Sequence, residues 1–277
     1  MHRKHFFVPA TGAPAGDYEL YLLGLDWLPE AIQPCCASGE CGSSAPFVTR
    51  TTAERLVLHG LWPRYDPHRA VAGSAGARGA AWPEYCARSG ADFTACCGEQ
   101  AGSRDRRVSA VCERAAASGR PPPARCALPR AVSDAFNTSG RWQAYAPEYA
   151  HSRLASHQWA KHGSCTRWTA AEYFAESEKV HGRLAAGAGA RLVAASAGAN
   201  VSYAALDAAL ARDTGEAGSY AVGCRACRLT EIWFALSAAG AALAPGRFRP
   251  NPMRFSRRRG CKFCAAVAVP RWRGCGS

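Results

Sequence analysis

A chain of 277 residues, 48% of them hydrophobic, can bury one sizeable core, and it contains no 18-residue apolar run that would read as a membrane span. Its formal charge of +13 at pH 7 argues for a polyanionic partner, nucleic acid before an acidic membrane surface or an anionic glycan. Fourteen cysteines, an even number, argue against an ordinary cytosolic enzyme and for disulfides formed in an oxidising compartment.

Met1 to Ala15 has a basic start but lacks the apolar run of a signal peptide, and the cysteines favour a true N-terminus further upstream over a chain that is not secreted. Tyr18 to Trp27, apolar and aromatic, reads as a largely buried strand closed by Pro29. Cys35, Cys36 and Cys41 mark a stapled loop. Arg55 to His59 reads as a short strand stopped by Gly60-Leu61-Trp62-Pro63, with His59 held firmly at its end yet facing open space. From Asp66 to about Arg130, Gly, Ala, Ser and Arg dominate, with cysteines at 86, 96, 97, 112 and 126. This reads as insertion and loop, followed by a helix over Ala131 to Phe136. Arg104 to Arg107 and Arg257 to Arg259 are basic clusters that suit RNA phosphates or, equally, a solvated face.

Thr169-Ala170-Ala171-Glu172 is a capping box, and Tyr173, Phe174, Val180 and Leu184 recur at helical spacing, so a helix is predicted from 170 to about 186. Ser202 to Ala211 reads as another, and Ser219 to Val222 and Leu229 to Leu236 as strands returning to the sheet. The fold class is therefore α+β: a central antiparallel sheet with several helices, stabilised by disulfides. A single domain over 1–277 is expected, with a loop-rich, Cys-containing insertion at about 87–150 and a basic C-terminal extension from about 247. The sequons at Asn137 and Asn200 agree with a secretory route.

The chemistry concentrates in His157 to Cys165, H-Q-W-A-K-H-G-S-C. At about 100° per residue, a helix would place His157, Gln158, Lys161 and His162 within an arc of about 140°. Histidines five apart do not fit the zinc pattern in which ligands four apart share a helix face. Two imidazoles beside an ammonium suit RNA cleavage through the 2′-hydroxyl instead. That reaction needs a base for the hydroxyl, an acid for the departing 5′-oxygen, and positive charge for the phosphorane. One helix does not readily place acid and base on opposite sides of a phosphate, so a third histidine is required, and His59 in L-H-G-L-W-P is the candidate.

The two segments Leu58 to Pro63 and His157 to Cys165 resemble, in this order, the active-site segments of the ribonuclease T2 family, secreted or vacuolar endoribonucleases that usually work best in acid. Trp27, Trp82-Pro83-Glu84-Tyr85-Cys86 and Leu229-Thr230-Glu231-Ile232-Trp233 extend the resemblance over most of the chain outside 87–150 and the last thirty residues. It implies an α+β fold, His162 as general base, His59 as general acid, His157 as a phosphate holder, Lys161 as the stabiliser of the transition state, and Trp62 packed beside the site. It also implies single-stranded RNA as substrate, a 2′,3′-cyclic phosphate and then a 3′-phosphate as products, low base specificity, no cofactor and no metal. A monomer without membrane attachment, secreted or vacuolar/lysosomal, is expected.

Gln158 stands where this family usually carries Glu, which predicts activity lowered by about one to two powers of ten if the lost effect is about 1.4 to 2.8 kcal/mol. Leu154-Ala155-Ser156 replaces a Phe-Trp pair, and Asp26 stands where Gln is common, so base preference does not transfer. The C-x₂-C pairs Cys224/Cys227 and Cys261/Cys264 fit zinc by spacing alone, whereas the resemblance implies a disulfide there; Cys86 with Cys165 is the further bridge expected, because it would tie a loop to the helix that carries the histidines. Two other readings stand beside the nuclease: a catalytically weak RNA-binding or signalling protein on the same scaffold, and a zinc-stabilised binding module.

Overall fold

A computed structural model describes residues 8–11, 15–31, 54–65, 80–86, 126–149, 154–215, 219–237 and 260–273. The basic clusters at 104–107 and 257–259, the Cys35/Cys36/Cys41 loop and most of the expected insertion lie outside them. The described strands are β1 (Val8–Thr11), β2 (Leu20–Trp27), β3 (Leu56–Arg64), β4 (Ala80–Glu84), β5 (Asn200–Ser202), β6 (Tyr220–Arg225), β7 (Arg228–Ser237) and β8 (Ala266–Ala268). The helices are α1 (Arg130–Thr138), α2 (Gly140–Tyr145), α3 (Leu154–Lys161), α4 (Ala170–Ala185), α5 (Ala188–Ala195) and α6 (Tyr203–Thr214).

The main sheet runs β3-β2-β7-β8-β5, with β6 also paired to β7. β2 is its centre because both of its faces are apolar and both are covered. Tyr21, Leu23, Leu25 and Trp27 join the large core under the helices, while Leu20 and Leu22 pack on the other face with Ala235, Trp62 and Trp233. Its neighbours β3 and β7 are both antiparallel to it. β8 meets β7 in parallel through the single pair Arg228↔Ala268, and β1 pairs with β4 in a separate parallel ribbon.

The capping box opens α4 as its sequence dictates: Thr169 Oγ1 accepts from Glu172 N–H, and the Glu172 carboxylate accepts from Thr169 N–H at 2.8 Å. Tyr173, Phe174, Val180 and Leu184 face the core. Phe136 of α1 and Trp142 of α2 join an edge-to-face aromatic cluster with Tyr149 and Phe174, so residues 130–149 contribute to the core.

β3 differs from its sequence reading in a way that matters. It does not stop at His59 but continues through Gly60-Leu61-Trp62-Pro63 to Arg64. Pro63 is tolerated because β3 is the edge of the ordered path. Opposite β2 the register steps from Leu25↔Leu58 to Gly24↔Gly60, leaving His59 as the extra residue of a β-bulge. The bulge lets Leu58 and Leu61, three apart, both reach the core. Two tyrosines fasten this stretch: Tyr149 Oη donates to the His59 carbonyl at 2.9 Å and Tyr173 Oη to the Leu61 carbonyl at 2.7 Å.

The cysteines 224, 227, 261 and 264 form two disulfides, Cys224–Cys261 and Cys227–Cys264. Oxidised sulfurs are not thiolate ligands, and this overturns the zinc reading of the two C-x₂-C pairs. The bridge Cys86–Cys165 is also formed.

Candidate active site

The site is built from the bulged β3, the adjoining residue of β2, and α3 with the residue that follows it. Trp62 lies at its centre. Its ring stands over Gly24, where any Cβ would collide with the indole. Its Nε1–H donates to Gln158 Oε1 at 2.7 Å. Gly60, paired directly with Gly24 across the strands, has no room for a Cβ either, because Gln158 Oε1 and Trp62 Nε1 occupy that space. Two facing glycines thus form the floor on which tryptophan and amide rest.

The histidines gather around this indole. The His59 ring is 5.3 Å from Trp62, the His162 ring 5.8 Å from Trp62, and the His157 ring 6.3 Å from His162, all between centroids. The helix predicted for the H-Q-W-A-K-H segment forms as α3, and His162 N–H still bonds back to the Gln158 carbonyl at 3.1 Å. Trp159, between the site positions, is core and packs on Tyr173. Gly163 leaves room for that indole, since a Cβ there would strike the Trp159 ring.

Gln158 is a correction to the four-residue face read from helical periodicity. It is only 1% exposed, turned inward to hold Trp62 rather than presented to the cleft. The segment does supply His157, Lys161 and His162, while His59 arrives from the bulge.

The electrostatics separate these groups. Burial, then the nearby Lys161 and then His59, push the His157 imidazole down to about 4. His162 is driven well below the ordinary histidine range by burial first, then by Lys161, His157, His59 and Arg64. Both rings are therefore neutral near pH 7. At that pH the positive charge of this segment is Lys161. His59 is different, for its Nδ1 lies 2.6 Å from Asp26 Oδ2, a carboxylate on the neighbouring strand.

Lys161 is held between cleft and interior. Its Nζ is 3.7 Å from Glu84 Oε2, and Glu84 is 1% exposed. The end of α3 is tied to β4 by Tyr85 N–H to the Lys161 carbonyl at 2.9 Å, Cys86 N–H to Ser164 Oγ, and the Cys86–Cys165 bridge. Tyr85 adopts the left-handed backbone, φ 48°, at this junction.

Three charged residues of the site went unread in the sequence. Asp26 was noticed only as a departure, because nothing local says that it meets His59. Arg64, buried beneath the Trp82 ring at 5.3 Å and lowered by burial to about 10, follows Trp62 by two. Continuing the strand past His59 would have placed the two side chains on one face. Glu84 sits in the Trp-Pro-Glu-Tyr-Cys segment but reveals its partner only through the disulfide that brings Cys86 to Cys165.

Three histidines and a lysine thus stand close together around Trp62 on a positively charged protein. Comparison with known proteins agrees in kind. The model of the ribonuclease T2 family matches residues 18–245. The self-incompatibility-associated SF11-RNase of Nicotiana alata is similar in structure, with a TM-score of 0.51 at 15% identity, covering 92% of this chain and all of that one. Trichomaglin, described as an S-like ribonuclease, gives 0.51 at 14% identity, with 92% and 99% of the two chains covered. An RNase-related protein from Calystegia sepium gives 0.50 at 13% identity, with 91% and 97% covered. No curated protein matches the sequence significantly.

Proposed function

The chain belongs to the ribonuclease T2 family, and on that premise we propose that it is an endoribonuclease cleaving single-stranded RNA by 2′-hydroxyl transesterification. The observation that carries this reading is the convergence of His59, His157 and His162 around Trp62, with Lys161 alongside.

In the first step neutral His162 takes the proton of the 2′-hydroxyl. The 2′-oxygen bonds to phosphorus, the P–O5′ bond breaks, and protonated His59 gives its proton to the departing 5′-oxygen. Lys161 faces the charge that grows on the non-bridging oxygens. His157, neutral near pH 7, donates a hydrogen bond to phosphate and gains a proton as the anion approaches. The enzyme is left with His162 protonated and His59 neutral, the states needed for water to open the 2′,3′-cyclic phosphate to a 3′-phosphate. The nucleophile is the substrate's own hydroxyl, and no step is assigned to a metal or cofactor.

The family pattern replaced at Gln158 does not remove acid, base or cation from this scheme. Its side chain is spent on Trp62, so the reading favours a working enzyme over a scaffold that only binds RNA. The disulfides and sequons support a secreted or vacuolar setting, and the scheme requires one copy of the chain. Incubation with single-stranded RNA, followed by ³¹P NMR of the products, tests the reaction. A 2′,3′-cyclic phosphate signal that converts slowly to a 3′-monoester is expected. RNA bound tightly but left intact would support the catalytically weak alternative instead.

A further inference from the structure

Among the three imidazoles of the cleft, His59 has a carboxylate in contact. Asp26 is on β2, one residue before the core Trp27, whose Nε1–H is anchored on the Pro270 carbonyl at 2.8 Å. Its register partner on β3 is Val57, two residues short of the bulge. In an unbroken ladder, the side chains of Val57 and position 59 would share a face and stand about two residues apart along the strand. The extra residue at 59 breaks that spacing, and the imidazole comes within 2.6 Å of Asp26 Oδ2. An ionised carboxylate only accepts, so Nδ1 carries the hydrogen, and Nε2 is the ring nitrogen whose proton is given up.

Resting on the assignment of His59 as general acid, we propose that Asp26 is the positioning residue of that acid. It fixes the Nδ1–H tautomer and keeps the His59 ring protonated into the neutral range, so that this chain cleaves RNA at neutral pH.

The charges around His59 have both signs. Lys161 on α3 and Arg64 on β3 bring positive charge to the cluster, and His157 and His162, which interact with both Lys161 and His59, stay neutral beside it. Glu231 of β7 is the register partner of Asp26 on its other side, and it accepts from Trp233 Nε1 at 2.7 Å. Tyr149 Oη donates to the His59 backbone carbonyl at 2.9 Å. Asp26 is an anion in direct contact with the imidazole, at 2.6 Å, and it is 14% exposed, shielded from bulk screening. Two neutral rings and one carboxylate-backed ring divide base from acid by environment alone, as paired groups with opposed surroundings do.

The test is the pH dependence of kcat/KM on a dinucleoside monophosphate between pH 4 and 9, for the parent chain, Asp26→Asn and Asp26→Glu. The alkaline limb reports the acid. Asp26→Asn is expected to move that limb down by about one unit and cut the rate at pH 7.5 about tenfold, with KM little changed; Asp26→Glu restores most of both. An unmoved limb in Asp26→Asn overturns the proposal. His59→Ala, run in parallel, separates the two claims: if it retains activity, the assignment of the acid fails, whatever Asp26 does. Should Asp26→Asn not fold, ¹⁵N NMR of the parent chain decides. A His59 ring protonated at Nδ1 and titrating above 6.5 supports the pairing, and titration at or below 6.5 overturns it.

Discussion

At the scale of single residues, His157 is a half-buried ring and His162 a buried one, both beside Lys161, and both resist protonation. That has a consequence for stability. An unfolded histidine titrates near 6.5, whereas folded His157 titrates at about 4. Between those values the unfolded chain binds more protons than the folded one, so the contribution of this ring is complete above about pH 6.5 and is lost as pH falls towards 4. The melting temperature is expected to drop across that window, and His157→Gln to flatten the drop; scanning calorimetry at successive pH values checks it. An anion in the cleft reverses the preference, because it stabilises the charged ring. Orthophosphate should therefore bind more tightly at pH 5 than at pH 7, with proton uptake measurable by calorimetry in buffers of different ionisation heat. Gln158 belongs to the same scale. Replacing it with Ala leaves Trp62 Nε1–H without its acceptor, and a loss of about 1 kcal/mol in positioning predicts a fall in kcat of roughly fivefold. Gln158→Glu places a carboxylate at a 1%-exposed site, where desolvation opposes its charge, so a large gain in rate is not expected.

At the scale of elements, the β3 bulge and the glycine floor set where the groups stand. Gly24→Ala or Gly60→Ala would drive a methyl into Trp62 or into the Gln158–Trp62 bond. The expected outcome is a loss of about 1 to 3 kcal/mol in stability by overpacking, together with a drop in activity larger than that of a matched alanine substitution at Gly182, where a Cβ meets nothing. The helix α4 was legible in the sequence because a capping box and a periodic apolar stripe agree with each other there. The strand β2 was legible from its unbroken apolar run. The end of β3 was not: Gly and Pro ordinarily stop a strand, and a bulge shows only when the partner strand is known. Of the site, His59, His157, Lys161 and His162 could be read from two segments whose spacing carries the chemistry. The inward turn of Gln158 could not, since periodicity assigns a face to a helix but not the depth of its neighbours. Asp26 and Glu84 act through contacts 33 and 77 positions away in sequence from His59 and Lys161, beyond any local pattern.

At the scale of the whole molecule, disulfides hold together what hydrogen bonds align. Cys86–Cys165 spans 79 residues and joins the β4 segment to the end of α3 beside Lys161. Removing it by a double Cys→Ser change costs up to about 4 kcal/mol on the loop-entropy model. For a chain of this size the melting temperature should fall by about 10 °C, with RNA cleavage impaired even below the new midpoint because Glu84 and Lys161 lose their common frame. Net charge acts over the same scale: at +13, affinity for RNA should weaken steeply as salt rises, which a filter-binding series reads directly. The claim on which all of this rests is that His59 and His162 are acid and base of one transesterification. It is tested most directly by digesting single-stranded RNA with the parent chain, His59→Ala and His162→Ala and quantifying 2′,3′-cyclic phosphate. A reduction of about a thousandfold in each variant, with folding retained by circular dichroism, is the predicted result; cyclic phosphate formed at the parental rate by either variant would contradict it.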